Sequence, residues 1–322
     1  MSRVFKSFLA PTIANDFIPF QIASGRWSNS YEKNLSYFDR HCFENYSQMH
    51  VLTQEMVDSW CIKRTTETNR SRLDRTGVVR AFIRYLQSRN LTDVDFPEMP
   101  TAQTSLYIPH AFTEAELDNF FRACDELPVK PNSMVVLTRK LIVPVIFRLL
   151  YSSGIRTTEA RLLRTVDVDL DEGVLNIRQS KGYDQHYVAL HSTMVSLLRK
   201  YENAICVLHP DREFFFPSFR GNMMHTEWVA KNFHKLWYKY NTDIAVSYEL
   251  RHNYAVENIN QWIGLGFDFF SKFVYLSKSM GHKRLQSTRY YYHLVPAMAD
   301  ILLKLTGPDF DWIVPEVDYE EG

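Results

Sequence analysis

The chain has 322 residues, 45% of them hydrophobic, and its 37 basic residues balance 37 acidic ones. This composition predicts ordinary packed cores and excludes disordered, collagen-like and disulfide-stapled proteins. Four widely spaced cysteines exclude a compact zinc or redox motif, and no stretch is apolar enough for a signal peptide or a membrane span, so we expect a cytoplasmic protein with no membrane attachment.

The first predicted domain, residues 1–104, is helical and ends in a proline-containing linker. Apolar spacing predicts helices over Tyr31–Tyr46, from Thr53 onward and over Asn69–Arg89. Basic side chains on and before the third helix fit either an ordinary solvated face or contacts with DNA phosphates. These DNA-binding candidates are Lys63, Arg64, Arg70, Arg72, Arg75, Arg80 and Arg84.

The second predicted domain, residues 105–306, opens with a capping box at Thr113–Glu116. It is mainly helical, with two strands joined by a polar turn, so we expect an α+β domain with a small antiparallel sheet. The predicted helices are Met134–Ser153, Ser192–Val207, Thr226–Tyr240 and Tyr248–Trp262, and the predicted strands are Gly173–Gln179 and His186–Leu190.

Four segments of this domain carry residues suited to phosphate chemistry. The first contains Arg156 just after the helix-ending Gly154, with Glu159 three residues later, and the second is the turn lysine Lys181. Taken alone, such an arginine is usually structural and such a lysine is usually solvated. The other two are the segment from Tyr248 to His252, which contains Arg251, and Gly281-His282 with Tyr291 nine residues beyond the histidine.

In this order the four segments resemble the tyrosine recombinase (phage integrase) family, over roughly residues 109–305. The resemblance implies an N-terminal core-binding domain followed by a catalytic domain that cuts and rejoins DNA through a 3′-phosphotyrosine. It also implies double-stranded DNA with recombination sites as partner, a homotetramer on paired sites, and no metal or cofactor. Integration, excision or transposition of a DNA element would be the biological outcome.

The resemblance also assigns a role to each matching residue. Arg156 and Arg251 would hold the scissile phosphate, because planar guanidiniums donate paired hydrogen bonds to its charged oxygens. Tyr291 would attack phosphorus, Lys181 would protonate the leaving 5′ oxygen, and His282 would bind the phosphate or move a proton. Glu159 would support the arginine region. Spacing selects Tyr291 over its neighbours Tyr290 and Tyr292, and His293 matches a common family histidine.

One position departs from the family pattern, since Tyr248 stands where the family usually has a histidine. A tyrosine can donate to phosphate but is a poorer proton acceptor at neutral pH, which leaves water or His282 as alternative bases. Two other functions therefore stay open: a type IB topoisomerase-like activity, and a catalytically weak DNA-binding regulator.

The acidic residues are concentrated at the C-terminal end of the chain. Residues 307–322 hold six acids and no base; without those acids, 37 basic residues face 31 acidic ones, a net charge of +6. An acidic tail can therefore mask a moderately basic body that is able to bind DNA. We expect the segment from Pro296 onward to dock on a neighbouring subunit or to fold back on its own domain.

Overall fold

The computed structural model describes residues 4–102, 108–178, 185–262, 267–282 and 284–291. The chain forms two compact units, Met1–Tyr107 and Ile108–Gly322, whereas the sequence placed the boundary between residues 104 and 105. The predicted acidic tail, residues 307–322, lies outside the described residues. No helix in the described part is long and apolar enough to cross a membrane.

The first unit is a helical bundle around an aromatic core. Phe17, Phe38 and Phe82 are completely buried at its centre and come from three different helical segments. A short π-helix that continues into α1 was not predicted, because its apolar residues are too few to show a period. The helical segments are the π-helix Thr12–Phe17, α1 (Ile18–Ala23), α2 (Asn29–Asn45), α3 (Gln54–Cys61) and α4 (Asn69–Gln87).

The helices of the second unit pack around a large apolar core, and a smaller buried cluster joins α10, α11 and Tyr291. The capping box predicted at its start is present, since Thr113 and Glu116 each accept from the other's backbone N–H. The longest helix contains Pro144 and is buried along much of its length. The helices are α5 (Glu114–Asp125), α6 (Met134–Ser153), α7 (Thr157–Leu162), α8 (Ser192–Leu208), α9 (Trp228–Trp237), α10 (Glu249–Trp262), α11 (Phe267–Ser279) and α12 (Gln286–Arg289).

A three-stranded antiparallel sheet lies beside these helices, in the order β1 (Val168–Asp169), β2 (Val174–Ile177) and β3 (His186–Ala189). Leu175 pairs with Val188, and Ile177 pairs with His186. Because side chains alternate across a strand, this register buries His186 together with Val188. The prediction of a mainly helical fold with one small antiparallel sheet is confirmed.

Candidate active site

The segment that carries Arg156 begins with a glycine turn. Gly154 ends α6 in the left-handed conformation, with φ of 64°, and a Cβ there would stand 2.2 Å from the ring of Tyr254. Only glycine satisfies both constraints. The turn leaves the Gly154 carbonyl free to accept a hydrogen bond from Arg251 Nη1 at 2.6 Å.

Arg156 stands immediately before α7 and is held by a carboxylate. Glu159 is almost completely buried, and its oxygens accept from the Arg156 backbone N–H at 2.7 Å and from Nη1 at 2.5 Å. The second terminal nitrogen, Nη2, donates to the Gly281 carbonyl at 3.1 Å. The predicted supporting acid therefore touches the predicted arginine directly and fixes both its backbone and its side chain.

Arg251 lies on the first turns of α10 and is only 2% exposed. Besides its bond to Gly154, its Nη2 donates to the Met280 carbonyl at 2.6 Å and contacts His282 Nε2 at 3.0 Å. It forms no ion pair with any carboxylate among the described residues. Burial and, after it, the positive charge of Arg156 lower the pKa of Arg251. Its guanidinium nevertheless stays protonated, because arginine does not lose its proton in proteins.

His282 connects Arg251 to the short helix α12. Because an arginine nitrogen can only donate, His282 Nε2 is the acceptor, and the ring proton lies on Nδ1. That N–H donates to Thr288 Oγ1 at 2.7 Å, and Thr288 is fully buried. Burial and the charges of Arg251 and Arg156 lower the pKa of His282 to about 4, so the ring is neutral at pH 7.

Tyr291 is brought into the same cluster. It is 3% exposed, and its ring lies parallel to that of His282 with centroids 6.3 Å apart. Burial raises the pKa of Tyr291 to about 12, while the charge of Arg251 acts in the opposite direction. Tyr290 is more exposed, and burial raises its pKa as well. The tyrosine selected by its spacing is thus the more enclosed of the two.

Tyr248 lies at the edge of the cluster and is 42% exposed. Its ring meets that of His252 edge-on at 5.0 Å, as expected for positions four apart on or beside a helix. His252 in turn lies 5.5 Å from the ring of Tyr291. The residue that departs from the expected pattern is therefore linked to the tyrosine through a second histidine.

The sequence model of the phage integrase family matches residues 110–298, more than half of the chain. The chain belongs to this family. The integrase resembles a putative integrase/recombinase of Sinorhizobium fredii, with 29% identity over 231 residues that cover 69% of this chain and 72% of the relative. It is 26% identical to tyrosine recombinase XerC of Oceanobacillus iheyensis, covering 70% and 71% of the two chains. The family consists of enzymes that cleave and rejoin DNA.

Solved structures agree on the fold. The XerH site-specific recombinase bound to its palindromic difH substrate has a TM-score of 0.61 at 15% identity, with 89% of the integrase and 80% of XerH covered. A lambda integrase dimer bound to a COC′ core site has a TM-score of 0.58 at 14% identity, with coverage of 86% and 93%. The integrase therefore has the tyrosine recombinase fold.

Two site residues of the integrase were not predicted from sequence. His186 of β3 packs against the turn at Gly281, where φ is 61°: a Cβ on Gly281 would stand 2.6 Å from His186 Cε1 and 3.2 Å from Arg156 Nη1. Thr288 is the other, through its bond to His282. Alternation along β3 buries His186, but its partner lies almost a hundred residues away, so only the tertiary fold reveals the contact.

Five of the predicted catalytic and supporting residues, Arg156, Glu159, Arg251, His282 and Tyr291, come together in one cluster, with Tyr248 at its edge. Predictions for the remaining positions fall outside the described residues. These are the predicted general acid Lys181, the neighbouring Tyr292 and His293, and the segment from Pro296 onward.

The predicted DNA-binding residues of the first unit divide into two groups. The prediction that Arg75 contacts DNA is corrected, because this residue is buried. Its guanidinium pairs with Glu67 and donates to the carbonyls of Trp60 and Ile62. It has no surface to offer to a phosphate. Arg72 and Arg80 are half-buried and donate to the Cys61 and Pro97 carbonyls. The exposed members are Lys63, Arg64, Arg70 and Arg84.

One group of described side chains has metal-ligand chemistry: His110, Glu116 and Asp243. The first two already hydrogen-bond each other at 2.9 Å, and the second Glu116 oxygen accepts from Thr113 in the capping box. These bonds hold Glu116 in the capping box at the start of α5, which accounts for the grouping of these side chains without a metal ion.

Proposed function

We propose that this integrase is a site-specific recombinase that cuts double-stranded DNA through a 3′-phosphotyrosine at Tyr291. The observation that carries the proposal is Arg251, a buried guanidinium held by two carbonyls and a neutral histidine with no carboxylate partner among the described residues. A buried charge without a counter-ion is costly. Its Nε–H is also buried and has no hydrogen-bond partner among the described residues. A phosphate oxygen would satisfy both needs.

The two arginines are arranged to hold one phosphate. Arg156 Nη2 and Arg251 Nη2 bind the carbonyls of the consecutive residues Gly281 and Met280, which keeps the two guanidiniums close to each other. Their mutual repulsion contributes to the lowered pKa of Arg251. A phosphodiester under attack gains negative charge on its non-bridging oxygens, and this preformed pair would stabilise that charge.

Tyr291 then supplies the nucleophile. Its oxygen forms a bond to phosphorus as the bond to the 5′ oxygen breaks, and the 5′ oxygen takes a proton that we assign to Lys181. Religation by a 5′ hydroxyl reverses these steps. The phosphotyrosine conserves one phosphodiester-type bond, so exchange of strands needs no nucleotide. His282 would donate its Nδ1–H to the phosphate only after releasing Thr288, because Nε2 carries no proton.

DNA binding and assembly extend the same proposal. The exposed basic residues of the first unit would contact backbone phosphates, with Arg80 and Arg72 joining them if their carbonyl bonds are exchanged for phosphate bonds. We infer a homotetramer on two paired sites, as a lambda integrase tetramer occurs on a Holliday junction. Integration, excision or transposition of a mobile element would follow, in the cytoplasm, where the DNA substrate lies.

A nicked suicide substrate tests the chemistry, because loss of the short 5′ fragment traps the covalent adduct. We expect wild type to form an adduct that survives denaturation. Tyr291→Phe should abolish it while keeping DNA affinity, because only the attacking oxygen is removed. Tyr290→Phe and Tyr292→Phe are matched controls that remove the same atom from adjacent positions.

The possible outcomes separate the competing functions. If Tyr290→Phe or Tyr292→Phe alone abolishes the adduct, Tyr291 is not the nucleophile. If wild type binds its site yet forms no adduct, the protein is a DNA-binding regulator. If supercoiled DNA that carries a single site is relaxed without pairing to a second site, the activity is that of a type IB topoisomerase.

A further inference from the structure

Attack by Tyr291 requires its phenolic proton to leave, and the usual acceptor is not present in this chain. Tyr248 replaces the expected histidine and is a poor proton acceptor at neutral pH. Because the pKa of Tyr291 is raised to about 12, only about one molecule in 10⁵ is ionised at pH 7. A neighbouring base is therefore needed for useful rates.

His282 cannot serve as this base in the arrangement observed. Its Nε2 lone pair accepts from Arg251, and its Nδ1 proton is donated to Thr288, so both ring nitrogens are engaged. Accepting a further proton would break the bond to Arg251 and place a cation beside it. The pKa of about 4 reflects burial first and these neighbouring charges second.

We propose that His252 is the catalytic residue that accepts the proton of Tyr291, an inference that rests on the proposed function. Its ring centroid lies 5.5 Å from that of Tyr291 and 5.0 Å from that of Tyr248, so its ring packs against both the nucleophile and the tyrosine that replaces the usual histidine. It also lies 6.1 Å from the ring of Tyr290. Bulk water has little access to Tyr291, which is 3% exposed.

The charges around His252 suit a base that starts neutral. Burial lowers its pKa, and Arg251 lowers it further, so the ring retains an acceptor nitrogen at pH 7. The carboxylate of Glu249 acts in the opposite direction and would stabilise the imidazolium once formed. Glu249 is itself fixed, because it accepts from the backbone N–H groups of His110 and Val246. The titratable groups that face the ring are Tyr248, Glu249 and Arg251 of α10 and its N-terminal edge, together with Tyr290 and Tyr291.

The proposed step is a balanced proton transfer coupled to substitution. The phenolic O–H bond of Tyr291 breaks and its proton goes to a ring nitrogen of His252. The phenolic oxygen forms the bond to phosphorus, and the 5′ oxygen leaves with a proton from the general acid. In religation the imidazolium returns its proton to the departing phenolate.

The test is the pH dependence of adduct formation on the suicide substrate, measured in single turnover from pH 5 to 9. The wild-type rate should be nearly constant between pH 7 and 9, because His252 is already neutral there. Because burial lowers the pKa of His252, the rate should decline only at a more acidic pH than an ordinary histidine would give. His252→Gln keeps a polar side chain but cannot take the proton. We expect a loss of about 10²–10⁴-fold at pH 7.

The shape of the variant's profile distinguishes a base from a packing residue. Without His252 only phenolate reacts, so the rate should rise about tenfold per pH unit, or about 100-fold from pH 7 to 9. His209→Gln is the matched control, since it alters another buried histidine of the same unit, bonded to Thr138, and should keep the flat profile. The rate of Tyr248→Phe should also stay constant from pH 7 to 9, whatever its absolute value.

Several results would overturn the proposal. A flat profile in His252→Gln, or a tenfold-per-unit rise in Tyr248→Phe instead, would assign the base elsewhere. If His252→Gln fails to fold, the wild-type profile still decides, because a tenfold rise per unit from pH 7 to 9 would mean that no neighbouring base acts. Loss of the adduct in Tyr291→Phe with any of these results keeps the recombinase function and rejects only His252.

Discussion

Gly281 is the position where a single methyl group should disturb the site most. Its φ of 61° lies in the left-handed region, which costs an L side chain about 1–2 kcal/mol. In Gly281→Ala the added Cβ would also stand 2.6 Å from His186 Cε1 and 3.2 Å from Arg156 Nη1. Ordinary contact begins near 3.4 Å, so either the buried imidazole or the turn must move by roughly 1 Å.

The kinetic effect should exceed the effect on stability. A displacement of about 1 Å at a group that positions reacting atoms costs roughly 100-fold in rate. A shifted turn would carry with it the Gly281 carbonyl that accepts from Arg156 Nη2. We therefore expect Gly281→Ala to form the covalent adduct on a suicide substrate about 100-fold more slowly than wild type. DNA affinity should stay near normal, because the proposed contacts with the DNA backbone lie on the first unit.

Gly221→Ala separates crowding from backbone strain. Gly221 has φ of 81°, but the nearest atom to its Cβ would be His209 Nδ1 at 3.9 Å, an ordinary contact. Both variants should lose similar stability in urea unfolding, while only Gly281→Ala should lose rate. Equal rates for the two variants would refute the reasoning, since crowding of the site would then have no consequence.

Three further predictions concern other parts of the structure. Glu159→Gln places a buried amide against the two N–H donors of Arg156. We expect the free energy of unfolding to fall by about 3–5 kcal/mol and adduct formation to become slower. An unchanged free energy of unfolding would contradict this. The pKa of His282, lowered from 6.5 to about 4, stabilises the fold above pH 6.5, and this contribution is lost as the pH falls towards 4. Urea unfolding at pH 7 and 5 should show the loss in wild type, and His282→Gln should reduce it. Arg75→Ala should lower the free energy of unfolding by several kcal/mol with little direct effect on DNA contacts. Arg70→Ala should weaken DNA binding and its salt dependence without loss of stability. The reverse pattern would return Arg75 to the predicted DNA-binding residues.

Local patterns were sufficient for most of the second unit. The helix Met134–Ser153 was predicted with the ends that the structure shows, because a serine starts it and a left-handed glycine ends it. The residues of the candidate site were expected together because their short motifs, in this order, resemble the tyrosine recombinase family. α11 was not predicted, although Gly264 and Gly266 separate its sequence from that of α10.

The burial of Arg75 could have been predicted from the helical spacing of its apolar neighbours. Positions 75, 78, 79 and 82 follow helical spacing, so Arg75 shares a face with three buried apolar residues. A basic residue on such a face needs a buried acid, and Glu67 provides it from outside the helix. Helical spacing therefore indicated the burial, while the identity of the partner depended on the loop before α4.

The way in which the two arginines are held explains why the site contains glycine turns. Arg251 is bound by the carbonyls of Gly154 and Met280, and Arg156 is bound in part by the carbonyl of Gly281. Arg156 also has Glu159 as its carboxylate partner. A carboxylate on Arg251 would hold its guanidinium more tightly in the free protein, but it would also cancel the charge that a bound phosphate would meet. Carbonyls orient a guanidinium and leave its charge intact. Turning a carbonyl inward at the end of a helix requires the left-handed conformation that glycine adopts most readily, and both Gly154 and Gly281 are in it. The two glycines therefore support the proposed phosphate site through their carbonyls, and their replacement should reduce the rate of DNA cleavage.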